Sequence, residues 1–212
     1  MVGGVKRGYQ SDLRAAQALA TRRAVIAAAA RLFVAEGYGA TTVDAIAEAA
    51  GVSRKTVFTA VGGKAELLKA ALDRAVAGDD AAVPIIERAD VRRALAADDP
   101  HVVVRGAIRA AVQINARAAD LARVLESAAD GIPEMKPLLV EAREQRLADA
   151  RAVAQRLAAI DALAGPVDDA ADVLYAAIDP HLFDTLVRQR GWAPARFEAW
   201  LADLAIGQLL LG

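Results

Sequence analysis

Arg54 and Lys55 stand side by side directly after Ser53, in the stretch IAEAAGVSRKTVFTAVGGK that spans residues 46–64. Paired cations on the first turn of a serine-capped helix present hydrogen-bond donors where a helix entering the major groove meets base edges. Arg54 is the candidate for a bidentate bond to guanine. Lys55, Thr56, Thr41 and Thr42 suit phosphate oxygens, which fix register without reading sequence. Lys64 opens a further helix, where charge and free amides together favour a phosphate. Ser53, Phe58 and Thr59 complete the outward set.

These side chains need elements to hold them. Gly51 interrupts a good helix pattern, and a glycine inside a helix costs about 1 kcal/mol relative to alanine. A tight turn between two helices accounts for it, because glycine takes positive φ without a steric penalty. Ala47 must be small where the helices meet. Ile46, Ala50, Val52, Val57 and Ala60 supply the apolar inner side. Thr41 is the expected cap of the first helix, with Asp44 completing a capping-box variant, and Ser53 the expected cap of the second. Two readings of this unit stand open: a DNA-reading helix-turn-helix, and a helical corner with a solvated cationic cap.

The 212 residues suit one or two domains. Alanine-rich composition, with 4% aromatic residues, favours helices over strands. The periodicity predicts an all-α chain, with helices near 11–36, 42–49, 54–61, 64–78, 85–96, 100–116, 118–129, 134–163, 167–178 and 195–210. The division expected is a DNA-binding domain over 1–78 and a regulatory ligand-binding and dimerisation domain over 79–212, parted near AGDDAAVP. Net charge is −1, but 11 Lys/Arg stand against 6 Asp/Glu through residue 74, and 15 against 21 beyond it. Such asymmetry points to nucleic acid at the N-terminal part. Lys6, Arg7 and Arg14 precede the core of the first helix. They form either a basic arm for the minor groove or a solvated tail.

Residues 22–72, RRAVIAAAARLFVAEGYGATTVDAIAEAAGVSRKTVFTAVGGKAELLKAAL, resemble the DNA-binding domain of the TetR family. The likeness lies in LF and GY closing the first helix, the threonine pair, IAEAAGVS, and the lysine and ELL that start the fourth. LFDTLVRQRGWAPARFEAWLADLAIGQLL (residues 182–210) is similar to the family's last two helices. The resemblance implies a dimeric, ligand-responsive transcription regulator acting on operator DNA, most simply a repressor. Where the family usually has tyrosine, this chain has Phe58, which lacks the phenolic hydroxyl, and Gly62-Gly63 add freedom before Lys64. The rival expectation is a helical ligand carrier or interaction protein without specific DNA binding.

The chain offers no catalytic constellation. There is no cysteine, which removes disulfides, thiolate nucleophiles and sulfur-ligated metals. His101 and His181 each follow a proline and stand 80 residues apart, with no histidine pair at metal-binding spacing. Asp79-Asp80, Asp98-Asp99 and Asp168-Asp169 fall at helix ends, where aspartate caps or complements the dipole. No enzyme, cofactor or metal is expected. The longest uncharged run, residues 204–212, is far below the ~20 residues of a membrane span. A cytoplasmic protein is expected.

In the C-terminal part, Val104, Ile108, Ala111 and Asn115 share one helical face, with Glu126 further on. They are the expected lining of a pocket for a small, largely apolar effector, Asn115 being the orienting polar group. An asparagine bonded to a neighbouring helix is the other reading. Leu174, Tyr175 and Ile178, with Phe197, Trp200, Leu201, Leu204 and Gln208 on the final helix, are the expected two-fold interface.

Overall fold

The computed structural model describes residues 4–78 and 85–211. These residues are helical throughout apart from turns: α1 (Gly4–Ala40), α2 (Val43–Ala49), α3 (Arg54–Ala60), α4 (Lys64–Ala77), α5 (Ala89–Leu95), α6 (Pro100–Gly131), α7 (Lys136–Ala159), α8 (Val167–Ala177), α9 (Pro180–Phe183) and α10 (Pro194–Leu209). A π-helical turn, Asp184–Gln189, follows α9. The all-α expectation holds. Asp79-Asp80 and most of the AGDDAAVP stretch lie outside the described residues.

The structure departs from the sequence-based map at several points, beginning with α1, which starts at Gly4 and runs on past 36 to Ala40. The helices expected at 100–116 and 118–129 are one helix, α6, because Arg117 and its neighbours offer neither a breaker nor a cap. The helix expected to reach residue 163 stops at Ala159, and Asp161 takes positive φ of 53° just beyond. The short α9 and its π turn have no counterpart in the map. They form because Asp179 caps Pro180–Phe183, accepting a bond from the His181 amide at 2.8 Å.

The chain divides into two compact units, residues 1–73 with 124–135 and residues 74–123 with 136–212. In the first, α1, α2 and α3 pack on one another around Val25, Ala29, Phe33, Ile46 and Val57, none of which is exposed. Leu67 and Leu68 of α4 are equally buried. Each such side chain contributes about 1.5–3 kcal/mol through removal from water. α1 bends at Gly37, whose φ of 82° is outside helical space, and its carbonyl is taken by the Thr41 amide and hydroxyl.

The second unit is built on α6, α7, α8 and α10. Its core runs through Val104, Ile108, Ala154, Leu157, Leu174, Phe183, Phe197 and Leu201. Phe183 and Phe197 meet edge to face at 5.7 Å. A short antiparallel bridge between Leu163 and Leu210 ties the α7–α8 turn to the end of α10.

Gly106 fixes how α5 sits on α6. A Cβ at this position would stand 2.2 Å from the Ala94 Cβ, so only a glycine allows that approach. Gly106→Ala is therefore expected to push α5 off α6 and cost about 1–3 kcal/mol. Urea unfolding monitored by circular dichroism measures this, and an unchanged midpoint would contradict it.

Candidate nucleic-acid interface

The turn between α2 and α3 has the conformation its sequence calls for. Gly51 takes φ of 67°, its amide bonds to the Glu48 carbonyl at 3.0 Å, and the Val52 amide bonds to Ala47 at 3.0 Å. Ser53 caps α3, its hydroxyl accepting from the Thr56 amide at 3.1 Å. That hydroxyl also shares a hydrogen bond with the Thr56 hydroxyl at 2.8 Å. Arg22 closes the far end by donating to the Ala60 carbonyl, a cation at a helix C-terminus.

The cap of α2 is Thr42, not Thr41. The Thr42 hydroxyl accepts from the Ala45 amide at 3.1 Å, and Asp44 falls at the second helical position. The expected capping box is thus absent, because Ala45 at the third helical position has no side-chain acceptor. Thr41 is wholly buried and donates its hydroxyl to Gly37 at 2.8 Å. Facing inward and already bonded, it does not present its hydroxyl to a phosphate, contrary to the expectation from sequence.

With Val57 buried, α3 turns Ser53, Arg54, Lys55, Phe58 and Thr59 to solvent, while Thr56 is half-buried. The Thr59 hydroxyl donates back to the Lys55 carbonyl at 2.9 Å. Phe58 is 47% exposed, and the Arg54 guanidinium lies 5.6 Å from its ring centre. Arg54 also donates to Asp44 at the start of α2. This pairing spans ten residues and escapes the sequence reading; its one signal is an acid on the first turn of the preceding helix.

Lys64 occupies the first position of α4. Its ammonium donates to the Gly39 carbonyl at 3.1 Å and sits 4.5 Å above the Tyr38 ring. Partial burial draws it below the usual lysine range, so a phosphate arriving there would push it back up. Gly62 just before it has φ of 131°, and a Cβ there would press on Glu66 at 3.0 Å. Gly62 is thus a conformational requirement of the α3–α4 turn, whereas Gly63 has ordinary φ. Thr42, Ser53, Arg54, Lys55 and Lys64 belong to the same compact unit, and these five side chains carry hydrogen-bond donors suited to an oxyanion or a base edge.

The residues expected around an effector do not all fall in one unit. Val104 and Ile108 are fully buried in the second unit's core. Ala111 is half-buried. Asn115, 6% exposed, donates one amide N–H to the Ile178 carbonyl at 3.1 Å, at the end of a neighbouring helix. Glu126 is half-buried and belongs to the first unit.

The expected interface set is split. Leu174, Phe197 and Leu201 are at most 2% exposed and belong to the chain's own core, so they are not available to a partner. Ile178 packs against that core. Tyr175 does so too, beneath the Arg146 guanidinium, which donates to its hydroxyl at 3.0 Å. Trp200, Leu204 and Gln208 face solvent, as does Leu211 at the end of the same sequence face; Val173, also exposed, is one the sequence reading leaves out.

His101 and His181 are exposed on first turns. Among the described residues no group of three His, Cys, Asp or Glu side chains could hold a metal. No described helix is long and apolar enough to cross a membrane.

Residues 25–71 match the family model described as bacterial regulatory proteins, tetR family. Over 58 residues the chain is 47% identical to the HTH-type transcriptional regulator SrpR of Pseudomonas putida, a match covering 27% of each protein. It is also 47% identical over 58 residues to TtgW, an uncharacterised HTH-type transcriptional regulator from a strain of the same species, covering 27% of this chain and 43% of that one. These matches span less than half the length of either relative. The whole fold is similar to NalD, the secondary repressor of the MexAB-OprM multidrug efflux pump in Pseudomonas aeruginosa. There the TM-score is 0.70 at 19% identity, over 91% of this chain and 98% of NalD. It is also similar to SmeT in complex with triclosan, with a TM-score of 0.71 at 18% identity over 91% and 92% of the two chains. SmeT is the repressor of the Stenotrophomonas maltophilia multidrug efflux pump SmeDEF.

Proposed function

We propose that this chain, which belongs to the tetR family of bacterial regulatory proteins, is a homodimeric repressor whose α3 reads operator DNA. The observation that carries the reading is the outward row on α3. One side of a capped seven-residue helix is buried through Val57, and the other presents Arg54, Lys55, Phe58 and Thr59. Residues 1–78 are the reading head in this proposal, and 79–212 the regulatory part. Two heads in a dimer would enter successive major grooves about 34 Å apart.

Arg54 then bonds to a guanine, and Phe58 packs on sugar or a thymine methyl. Lys55, Lys64 and the hydroxyls of Thr42 and Ser53 meet phosphates. A small effector with a substantial apolar body binds the regulatory part, moves α4 and changes the spacing of the heads. The efflux repressors NalD and SmeT, and the triclosan held by SmeT, support a repressor answering to such a molecule. The effector acts only by favouring the state that does not fit the operator. The regulators of this family are not enzymes.

The test is a salt titration against a duplex selected from a randomised pool by the wild-type protein. Arg54→Ala is expected to cost about 1–3 kcal/mol and to relax preference at one base pair. Lys64→Ala should weaken all sequences alike and flatten the salt dependence. If neither variant alters duplex binding, the chain is better read as a helical ligand carrier. The Asp44 bond already held by Arg54 is the observation on that side.

A further inference from the structure

On either side of the Gly106–Ala94 contact, α5 and α6 enclose a groove of about 380 Å³. That volume lies within the range of small-molecule sites. Its walls combine aliphatic side chains with three guanidinium groups and one carboxylate. We propose that this groove binds an amphipathic monoanion: a small molecule with one carboxylate on an apolar body.

The cations come from both helices, Arg93 from α5 and Arg105 and Arg109 from α6. Arg105 donates through Nη2 to Asp203 at 2.7 Å, and Arg109 through Nε to Glu198 at 2.9 Å, both acceptors lying on α10. A guanidinium carries five N–H donors in a planar fork, so each retains donors for a second planar oxyanion. Arg93 makes no ion pair with another described residue. It supplies the charge that a carboxylate would neutralise.

Asp90 on the same wall sets the limit. It repels a second negative charge, which disfavours dianions and phosphates. Val91, Val102, Ala94 and Ala110 give the rest of the lining an apolar character that suits a hydrocarbon body. A carboxylate here would share the donors of Arg105 and Arg109 with Asp203 and Glu198. Occupancy would thereby be felt at α10, the helix assigned above to the dimer. This consequence rests on the regulator reading, whereas the site itself does not.

Calorimetric titration of the full-length protein with 4-butylbenzoate and with uncharged 4-butylbenzamide tests it. The acid is expected to bind at least about tenfold more tightly than the amide. Arg93→Ala should remove most of that preference and leave amide binding unchanged. Ala110→Trp, which fills the groove, should abolish binding of both without lowering the melting temperature. Equal affinity for acid and amide, no binding of either, or an unaltered preference in Arg93→Ala overturns the proposal. Binding of the acid without salt-dependent duplex binding would keep the groove and remove the regulator reading. Duplex binding without preference for the acid would do the reverse.

Discussion

Leu204→Glu with Gln208→Glu is expected to leave the chain folded, convert it to a monomer, and reduce affinity for a palindromic duplex by about 10²–10⁴-fold. Both positions face solvent on α10, and Leu204 is 45% exposed. In a two-fold arrangement each new carboxylate meets its own copy, so four like charges gather near the axis. Like charges in an interface cost several kcal/mol, whereas the same groups on a free surface cost little. The large loss on DNA arises because two heads no longer act as one ligand. Sedimentation at micromolar concentration measures the first effect and competition binding the second. A double variant that still sediments as a dimer would place the contact elsewhere. A wild-type monomer at that concentration would remove the palindromic reading altogether.

The second large effect lies on the adjacent, buried ladder of the same helix. Phe197→Ala is expected to destabilise the fold by about 3–5 kcal/mol, a large share of the roughly 5–15 kcal/mol that holds a domain together. Phe197 is 1% exposed, meets Phe183 edge to face, and lies 6.1 Å from the Trp200 ring. Its removal leaves a void in the buried cluster that also contains Leu174, Phe183 and Leu201. Phe58→Ala is the matched control. At 47% exposure its effect on stability should stay within about 0.5 kcal/mol, while its effect on DNA binding should not. Urea unfolding gives both numbers. A cost for Phe197→Ala below about 1 kcal/mol would mean that α10 is an appendage and not a wall of the core. The same packing rules out deletion of α10 as a clean test of assembly, because Leu201, Ala205 and Leu209 would leave with it.

These two variants show where the sequence was readable and where it was not. Phe197, Leu201, Ala205 and Leu209 form one i+4 ladder, and Trp200, Leu204 and Gln208 form another. Periodicity identifies a helix with a wide apolar face, but not which ladder meets the chain's own helices. That depends on partners distant in sequence, such as Phe183 and Leu174. The turn at Gly51 was legible because its requirement is local: one residue must take positive φ between two capped helices. The neighbouring threonines were less so. Either could cap α2, and the choice fell to Thr42 because Thr41 turns to the Gly37 carbonyl, a bend the pattern did not specify. The expected effector lining was legible only as a helical face: Val104 and Ile108 are buried in the core, but periodicity does not say that Asn115 reaches the Ile178 carbonyl, 63 residues on.

The bond from Arg54 to Asp44 has a consequence for fidelity. The guanidinium proposed to read a base already has a carboxylate beside it in the free protein. A guanine must therefore outcompete an internal rival, and a wrong base leaves that rival in place. An exposed pair of this kind is worth only about 0.2–1 kcal/mol, so the hurdle is low. If Arg54 reads a guanine as proposed, Asp44→Ala is expected to raise affinity slightly for sites bearing that guanine and to leave other sequences nearly unchanged.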